Sequence, residues 1–106
     1  MQSLEPYELQ EAMARLPHWT HDPERAALVR SFIFPDFPEA FAFMTQMAIL
    51  SEKQDHHPEW FNVHRRVDVS LTTHDAEGVS ARDIAWARVA DLVATDHRVL
   101  PPSSEV

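Results

Sequence analysis

The residues best suited to chemistry lie in an eleven-residue segment of this 106-residue chain, from Glu52 to Asn62. The segment contains two adjacent imidazoles, His56 and His57, together with three carboxylates and an indole. Histidine exchanges protons near neutrality because its unperturbed pKa is about 6.5. Neighbouring carboxylates orient and tune such rings, so the segment is typical of a proton-transfer site.

Two further polar motifs follow, Thr72-Thr73-His74-Asp75 and Ser80-Ala81-Arg82-Asp83. Each candidate also has a plainer interpretation. Adjacent histidines in a surface loop are often only solvated, and His74 alone is typical of an exposed turn. Asp83 stands where an aspartate satisfies the free amides at the start of a helix.

Together, these motifs resemble the signature of the pterin-4a-carbinolamine dehydratase family. That signature joins a helix ending in Glu-Lys, the run His-His-Pro-Glu-Trp-Phe-Asn, and a later Thr-His followed by Ser-x-Arg-Asp. The resemblance is strong from Phe32 to Trp86 and looser in the flanking helices. It implies dehydration of 4a-hydroxytetrahydrobiopterin to quinonoid dihydropterin plus water, in tetrahydrobiopterin recycling and without a cofactor.

The resemblance also implies a site. Three histidines are expected to be catalytic: His56, His57 and His74. Seven residues are expected to contact the substrate: Glu52, Asp55, Pro58, Trp60, Thr73, Asp75 and Asp83. A protonated imidazole helps hydroxide leave as water and a neutral one takes the N5 proton, each contributing about 10²- to 10⁴-fold. We hypothesise that His57 is the main acid–base residue, with His56 and His74 contacting the hydroxyl.

Two of these assignments have competitors. The Trp60 ring either stacks on the pterin or packs the edge of the sheet. Three histidines near acids also describe a metal site, but ligand pairs usually follow His-x-His on a strand or His-x-x-x-His on a helix. Neither spacing links His56, His57 and His74, so we predict no metal.

Hydrophobic periodicity predicts the elements that hold these motifs. Apolar residues recur at helical spacing from Glu5 to Leu16, which predicts a helix that Pro17 ends. The segment from Arg25 to Phe34 is rich in β-branched and aromatic residues and predicts a strand. A short partner strand is expected around His18 to Thr20.

The second helix should begin with Asp36 as its cap, with Glu39 reaching back, and run to about Lys53. Most of its circumference is apolar. One apolar stripe consists of Phe37, Phe41, Met44 and Ala48, and a second set widens it to the side: Phe43, Met47 and Leu50. One sheet cannot cover so wide a face. We therefore expect a subunit contact there and a homo-oligomer, either a dimer or a tetramer.

Pro58 disfavours helical backbone at His57, so the helix should end near Asp55 or His56, leaving both histidines on a loop. Beyond it, apolar residues take the odd positions of a half-buried sheet: Phe61, Val63, Val67, Val69 and Leu71. A hairpin is expected at His64-Arg65-Arg66, with an odd loop that keeps odd positions opposite one another. Phe61 should then be a core residue and Asn62 an amide that fixes the loop.

Ser80-Ala81-Arg82-Asp83 forms a capping box for a third helix, whose apolar stripe is Trp86, Val89, Ala90 and Val93. Pro101-Pro102 should end the ordered part, leaving the tail from Ser103 to Val106 frayed. The order α-β-β-α-β-β-α predicts an α+β fold, a four-stranded antiparallel sheet with three helices on one face. We expect one domain over residues 1–106, with an ordered core of about 4–100.

Composition narrows the class of protein. The formal net charge of −8 argues against direct nucleic-acid binding. The chain has no cysteine, no signal-like start and no apolar run long enough to span a membrane, so we expect a soluble cytoplasmic protein.

Two classes of function stay open. The preferred one is the dehydratase, with an aromatic amino acid monooxygenase as a pathway partner that supplies its substrate. The alternative is an interaction module that acts through its apolar helix as a dimerisation cofactor or transcriptional coactivator, since the resembled family includes members that stabilise transcription-factor dimers.

Overall fold

The computed structural model describes residues 2–104, which contain three α-helices and four strands. The helices are α1 (Pro6–Met13), α2 (Phe37–Gln54) and α3 (Ala81–Asp96). The strands are β1 (Thr20–Asp22), β2 (Ala27–Ile33), β3 (Glu59–Val63) and β4 (Arg66–Leu71). Single 3₁₀ turns occupy His74–Ala76 and Pro102–Ser104. This order confirms the predicted one.

All strands pair antiparallel in the order β1-β2-β4-β3, as predicted for the fold class. Side chains alternate between the two faces of the sheet. The face that packs on the helices forms the core, whose large buried members are Leu28, Phe32, Phe34, Val67 and Leu71 with Phe43, Met47 and Trp86 from the helices. The opposite face is open and carries polar residues, among them Ser31 and Asp68.

The hairpin between β3 and β4 is tighter than expected. A two-residue turn, His64-Arg65, joins the strands, and Val63 pairs directly with Arg66. His64 adopts the left-handed region, with φ of 51°. The Asn62 amide donates to the carbonyls of His64 at 3.1 Å and Arg66 at 2.8 Å, which confirms its predicted role in fixing the loop.

The even loop reverses the expected faces of β3. Trp60 pairs with Val69, so even positions of β3 share the helix-facing side with odd positions of β4. Phe61 and Val63 therefore lie on the open face and are 61% and 46% exposed. The predictions of an odd loop and of Phe61 as a core residue are both wrong, because loop parity, which periodicity does not reveal, decides the face.

Helix α2 begins and ends close to the predicted positions. The Asp36 side chain accepts a hydrogen bond of 2.9 Å from the Glu39 amide, as a cap should. Glu39 does not reach back to complete the box. It accepts instead from His97 at 3.1 Å and Arg98 at 3.0 Å, which ties the start of α2 to the end of α3.

The apolar circumference of α2 divides into a covered and an uncovered face. Ala40, Phe43 and Met47 are buried against the core. Phe37 and Phe41, on the other side, are 45% and 55% exposed, with ring centroids 5.9 Å apart. The single chain thus leaves uncovered the second apolar face that the sequence predicts.

The remaining boundaries shift by a few residues. Helix α1 is shorter than the predicted Glu5 to Leu16, and α3 has the predicted capping box between Ser80 and Asp83. The prediction that Pro101-Pro102 ends the ordered part is wrong. The backbone forms a 3₁₀ turn at Pro102–Ser104, where the Ser104 carbonyl accepts from Arg65 at 3.1 Å. Residues 105 and 106 of the predicted frayed tail lie outside the described residues.

Helix α3 is fastened to the sheet by Asp91. Its Oδ1 accepts hydrogen bonds from Trp19 Nε1 at 2.8 Å and from Arg30 Nη1 at 2.6 Å. Burial lowers the pKa of the Arg30 guanidinium, and the charge of Asp91 partly offsets the shift. This contact holds the helix that carries Asp83 against the strands.

Candidate active site

His56 is placed by the end of α2. Asp55 adopts left-handed backbone with φ of 52°, and the His56 amide donates to the Ser51 carbonyl at 3.1 Å, so the chain turns inward rather than away. The His56 side chain is buried, and its Nε2 lies 2.6 Å from Oδ1 of Asp83 on α3. One imidazole of the pair is therefore built into the protein rather than solvated.

Asp83 is fully buried and uses both carboxylate oxygens. While Oδ1 faces His56, Oδ2 accepts from the Thr73 hydroxyl at 2.8 Å and the Ser80 amide at 2.9 Å. The hydroxyls of Thr73 and Ser80 lie 2.7 Å apart. The capping interpretation of Asp83 is thus confirmed for one oxygen, while the other oxygen positions the His56 ring.

This network assigns the protons of His56. The carboxylate is an acceptor, so Nε2 of His56 donates to Asp83 and, in the neutral ring, Nδ1 keeps its lone pair. No contact of residues 2–104 occupies Nδ1. A histidine held in one tautomer by a buried carboxylate has the arrangement of a general base.

His57 lies on the surface beside it. Its side chain is 56% exposed, and Nε2 contacts Oε1 of Glu52 in the last turn of α2. The two neighbouring imidazoles therefore have different surroundings, one buried against Asp83 and one open to solvent.

His74 lies in the 3₁₀ turn after β4 and is 83% exposed. Its Nε2 is 3.9 Å from Oε2 of Glu59, the first residue of β3, and the preceding residue is Thr73, which shares Asp83 with His56. His74 therefore lies at the same end of the sheet as the other two histidines, although it contacts neither.

A hollow of about 380 Å³ adjoins this end of the sheet. It is lined by His74, Glu59 and Thr72, with residues of the β1–β2 turn, whereas His56 and His57 do not line it. The hollow thus lies at the same end of the sheet as the two neighbouring imidazoles, but the three histidines do not line one enclosed cavity.

The other residues predicted to contact the substrate either pack within the protein or lie exposed on its surface. Trp60 packs edge-on against Trp86, with centroids 6.2 Å apart at 72°, which favours its structural interpretation. Asp55 is the exposed C-cap of α2, Pro58 is half-buried after His57, and Asp75 is exposed in the 3₁₀ turn.

Sequence reasoning missed three supporting residues. Ser80 joins the network through its amide and hydroxyl, and Glu59 reaches His74 across the hairpin. Ser51 accepts from the buried Trp86 indole at 2.9 Å and donates to a helix carbonyl at 2.6 Å, which fixes the last turn of α2. The capping box already indicated the bond from the Ser80 amide to Asp83, whereas the contacts of Glu59, Ser51 and the Ser80 hydroxyl depend on tertiary structure that no local pattern signals.

Two findings concern other classes of protein. Among residues 2–104, no group of three or more histidine, cysteine, aspartate or glutamate side chains is arranged to hold a metal ion. Across the same residues, every helix is too short or too polar to span a bilayer.

Comparison with known proteins points to one family. Residues 2–93 match the family model described as pterin 4 alpha carbinolamine dehydratase. A protein of Rhizorhabdus wittichii named "Putative pterin-4-alpha-carbinolamine dehydratase" is 54% identical over 95 residues, covering 87% of this chain and 98% of the relative. One of the same name from Burkholderia cenocepacia is 58% identical over 80 residues, covering 76% and 78%.

A solved structure shares the fold. The crystal structure titled transcriptional coactivator/pterin dehydratase, from Brucella melitensis, superposes with a TM-score of 0.85 at 47% identity and covers 88% of this chain and 99% of that one. Family model, relatives and structure all point to the same family. The chain therefore belongs to the pterin-4-alpha-carbinolamine dehydratase family.

Proposed function

We propose that this protein dehydrates a 4a-hydroxytetrahydropterin by histidine acid–base catalysis. The substrate is 4a-hydroxytetrahydrobiopterin, and the reaction belongs to the recycling of tetrahydrobiopterin. In this reaction the C4a–O bond breaks, N5 loses its proton, the hydroxyl leaves as water and a C4a=N5 double bond forms. The observation that carries the proposal is the buried pair of His56 and Asp83, which Thr73 connects to the loop of His74.

The surroundings of the imidazoles suggest how they divide the work. His56, with Nδ1 unoccupied and Nε2 held by Asp83, suits removal of the N5 proton. His57 is accessible and oriented by Glu52, so it suits proton donation to the departing hydroxyl. His74 then contacts the hydroxyl or the ring from the adjoining turn. Each proton transfer is expected to contribute about 10²- to 10⁴-fold.

The test is an assay with carbinolamine generated freshly by an aromatic amino acid monooxygenase, the class of enzyme expected to supply it. Loss of the carbinolamine is followed spectroscopically with the wild type, His57→Ala and His57→Ala/His74→Ala. We expect the wild type to accelerate water loss and His57→Ala to lower turnover by about 10²-fold or more. Parental turnover in a folded His57→Ala variant would remove His57 from the mechanism.

His21→Ala is a matched control, because His21 lies in β1 and outside the His56–Asp83 network. The control should keep wild-type turnover of the carbinolamine. If all three variants lose activity equally, the loss reflects general damage rather than these imidazoles.

The uncovered face of α2 favours an accompanying proposal, self-association. Phe37, Phe41 and Ile49 are between 45% and 56% exposed on one helix. Burying them against a second copy removes apolar surface from water, which stabilises the assembly by about 25 cal/mol per Å² of buried apolar area. We propose a homo-oligomer, a dimer or a tetramer, formed through this face.

The same face supports the second candidate function, that of an interaction module. The Brucella melitensis protein is titled a transcriptional coactivator as well as a pterin dehydratase. In a module, removal of His56, His57 and His74 would leave partner binding unchanged, whereas Phe41→Glu would abolish it. An enzyme shows the opposite dependence on the histidines.

A further inference from the structure

The open face of the sheet carries two adjoining hollows, here called the trough, which begins at His74. The hollow of about 380 Å³ beside His74 is followed by a second of about 600 Å³ further along the sheet. Three residues, Arg25, Glu59 and Ser70, line both hollows. Any substituent of a ring held at the histidine end thus has a path across the strands.

Arg25 stands where the two hollows meet and is held there. In the β1–β2 turn, Asp22 Oδ1 accepts from the amides of Glu24 at 3.1 Å and Arg25 at 3.3 Å. The Thr72 hydroxyl donates to the Ala26 carbonyl at 2.8 Å, which ties this turn to the end of β4 beside His74. The backbone that carries the Arg25 side chain is therefore fixed before any ligand binds.

The Arg25 side chain keeps most of its donors for a ligand. Within residues 2–104 it makes one side-chain hydrogen bond, from Nη2 to the Ser70 hydroxyl at 3.1 Å. A guanidinium has five N–H groups, and a planar fork already anchored on one side loses little entropy when it binds another acceptor. Nothing in the core of the protein requires this exposed arginine.

The trough is suited to a neutral, hydroxylated tail. Its walls offer the hydroxyls of Thr20, Ser31, Ser70 and Thr72. Three carboxylates, Glu59, Asp68 and Glu77, outnumber the two arginines of the lining, Arg25 and Arg30, in a chain with a net charge of −8. An anionic tail such as a glutamate or a phosphate meets repulsion there, whereas alcohols pair with donors and acceptors alike.

We propose that Arg25 determines substrate specificity by donating hydrogen bonds to a neutral, hydroxylated side chain at C6 of the pterin, which lies in the trough. The proposal rests on the proposed function, because the ring must occupy the histidine end. It makes Arg25 a binding residue that leaves the reacting atoms untouched.

Equilibrium binding of stable 7,8-dihydropterins tests this, since they do not react. Three ligands differ only at C6, with a dihydroxypropyl, a methyl or a p-aminobenzoylglutamate group. We expect the wild type to prefer the dihydroxypropyl ligand and Arg25→Leu to bind it roughly five- to tenfold more weakly, as expected for a lost charged hydrogen bond near solvent. Binding of the methyl ligand should not change.

Two further variants sharpen the test. Arg25→Lys should recover part of the preference, because an ammonium donates but lacks the fork. Arg15→Leu is the matched control, because this exposed arginine lines a groove between α1 and α3 and neither hollow of the trough. It should bind all three ligands as the wild type does.

The outcomes separate the specificity proposal from the proposed function. Equal weakening of the dihydroxypropyl and methyl ligands by Arg25→Leu, or tightest binding of the glutamate ligand, refutes the role of Arg25 while leaving catalysis standing. Arg25-dependent preference together with no acceleration of dehydration supports the trough and refutes the enzyme. Failure to bind any dihydropterin refutes both.

Discussion

Replacing Asp83 by asparagine tests the tautomer and orientation of His56 while leaving the fold in place. The Ser80 amide is a fixed donor to Oδ2, so the oxygen of the new amide must stay there and its NH₂ group must face His56. That group donates, which turns Nε2 of His56 into the acceptor and moves the ring proton to Nδ1. The nitrogen proposed to take the N5 proton is then already protonated.

The structure also sets the expected magnitudes. With His56 in the wrong tautomer, kcat should fall by about 10²- to 10⁴-fold, the range that general acid–base catalysis contributes. The bonds from Thr73 and Ser80 persist but lose charge assistance, which costs about 1–2 kcal/mol of unfolding free energy. Asp83→Ala instead leaves the Ser80 amide and His56 Nε2 unpaired, at about 1–3 kcal/mol each.

The assay pairs carbinolamine turnover with thermal unfolding of Asp83→Asn. Asp96→Asn serves as the control, because Asp96 ends α3 in an exposed position and should lose neither activity nor stability. A folded Asp83→Asn variant with wild-type kcat would refute the assignment of His56 as a base oriented by Asp83. A variant that unfolds together with the loss of activity would show that Asp83 acts as a helix cap alone.

Three other predictions follow from particular contacts. Ser51→Ala should lower the unfolding free energy by about 1–3 kcal/mol, because it leaves the buried Trp86 indole N–H unpaired, and chemical denaturation measures this loss. Hydrogen bonds from His97 and then Arg98 hold the pKa of Glu39 below its usual value, so the stability from this carboxylate is present above the unfolded pKa of about 4.3 and is lost as pH falls through the folded one. The melting temperatures of the wild type and Glu39→Gln should therefore differ at pH 7 and converge as pH falls through the folded pKa; a constant gap contradicts the linkage. Phe41→Glu should shift the molar mass in sedimentation to that of a single chain, and an unchanged mass places the subunit contact elsewhere.

Elements whose residues signal their own conformation were predictable from the sequence. Asp36 and Pro38 mark the start of α2, Pro58 marks its end, and the capping box at Ser80 marks α3. Each signal is local, because it depends on backbone preferences within a single turn. These elements accordingly appear within a residue or two of where they were expected.

The wrong predictions concern either the number of residues in a loop or contacts between residues far apart in the chain. Periodicity showed two apolar strands but not the number of loop residues, so Phe61 was assigned to the wrong face. Glu39 has a cap pattern, yet stronger partners from α3 take its carboxylate. The first error comes from the length of a loop, and the second from tertiary contacts that override a local preference.

The resemblance named the residues of the candidate site but not how they are arranged. The resemblance named His56, Asp83 and Thr73, but only the fold shows that one carboxylate joins the other two. Likewise, nothing in adjacent histidines indicates that His56 is buried while His57 is exposed. Burial of this kind is set by the left-handed turn at Asp55 together with the position of α3.

The most direct test of the account is a crystal structure with a bound 7,8-dihydropterin. The account predicts that the C4a–N5 edge of the ring lies within hydrogen-bonding reach of Nδ1 of His56 and of the His57 ring, with His74 on the adjoining side. A ring bound in the groove between α1 and α3, or at His74 with both other imidazoles out of reach, would contradict it.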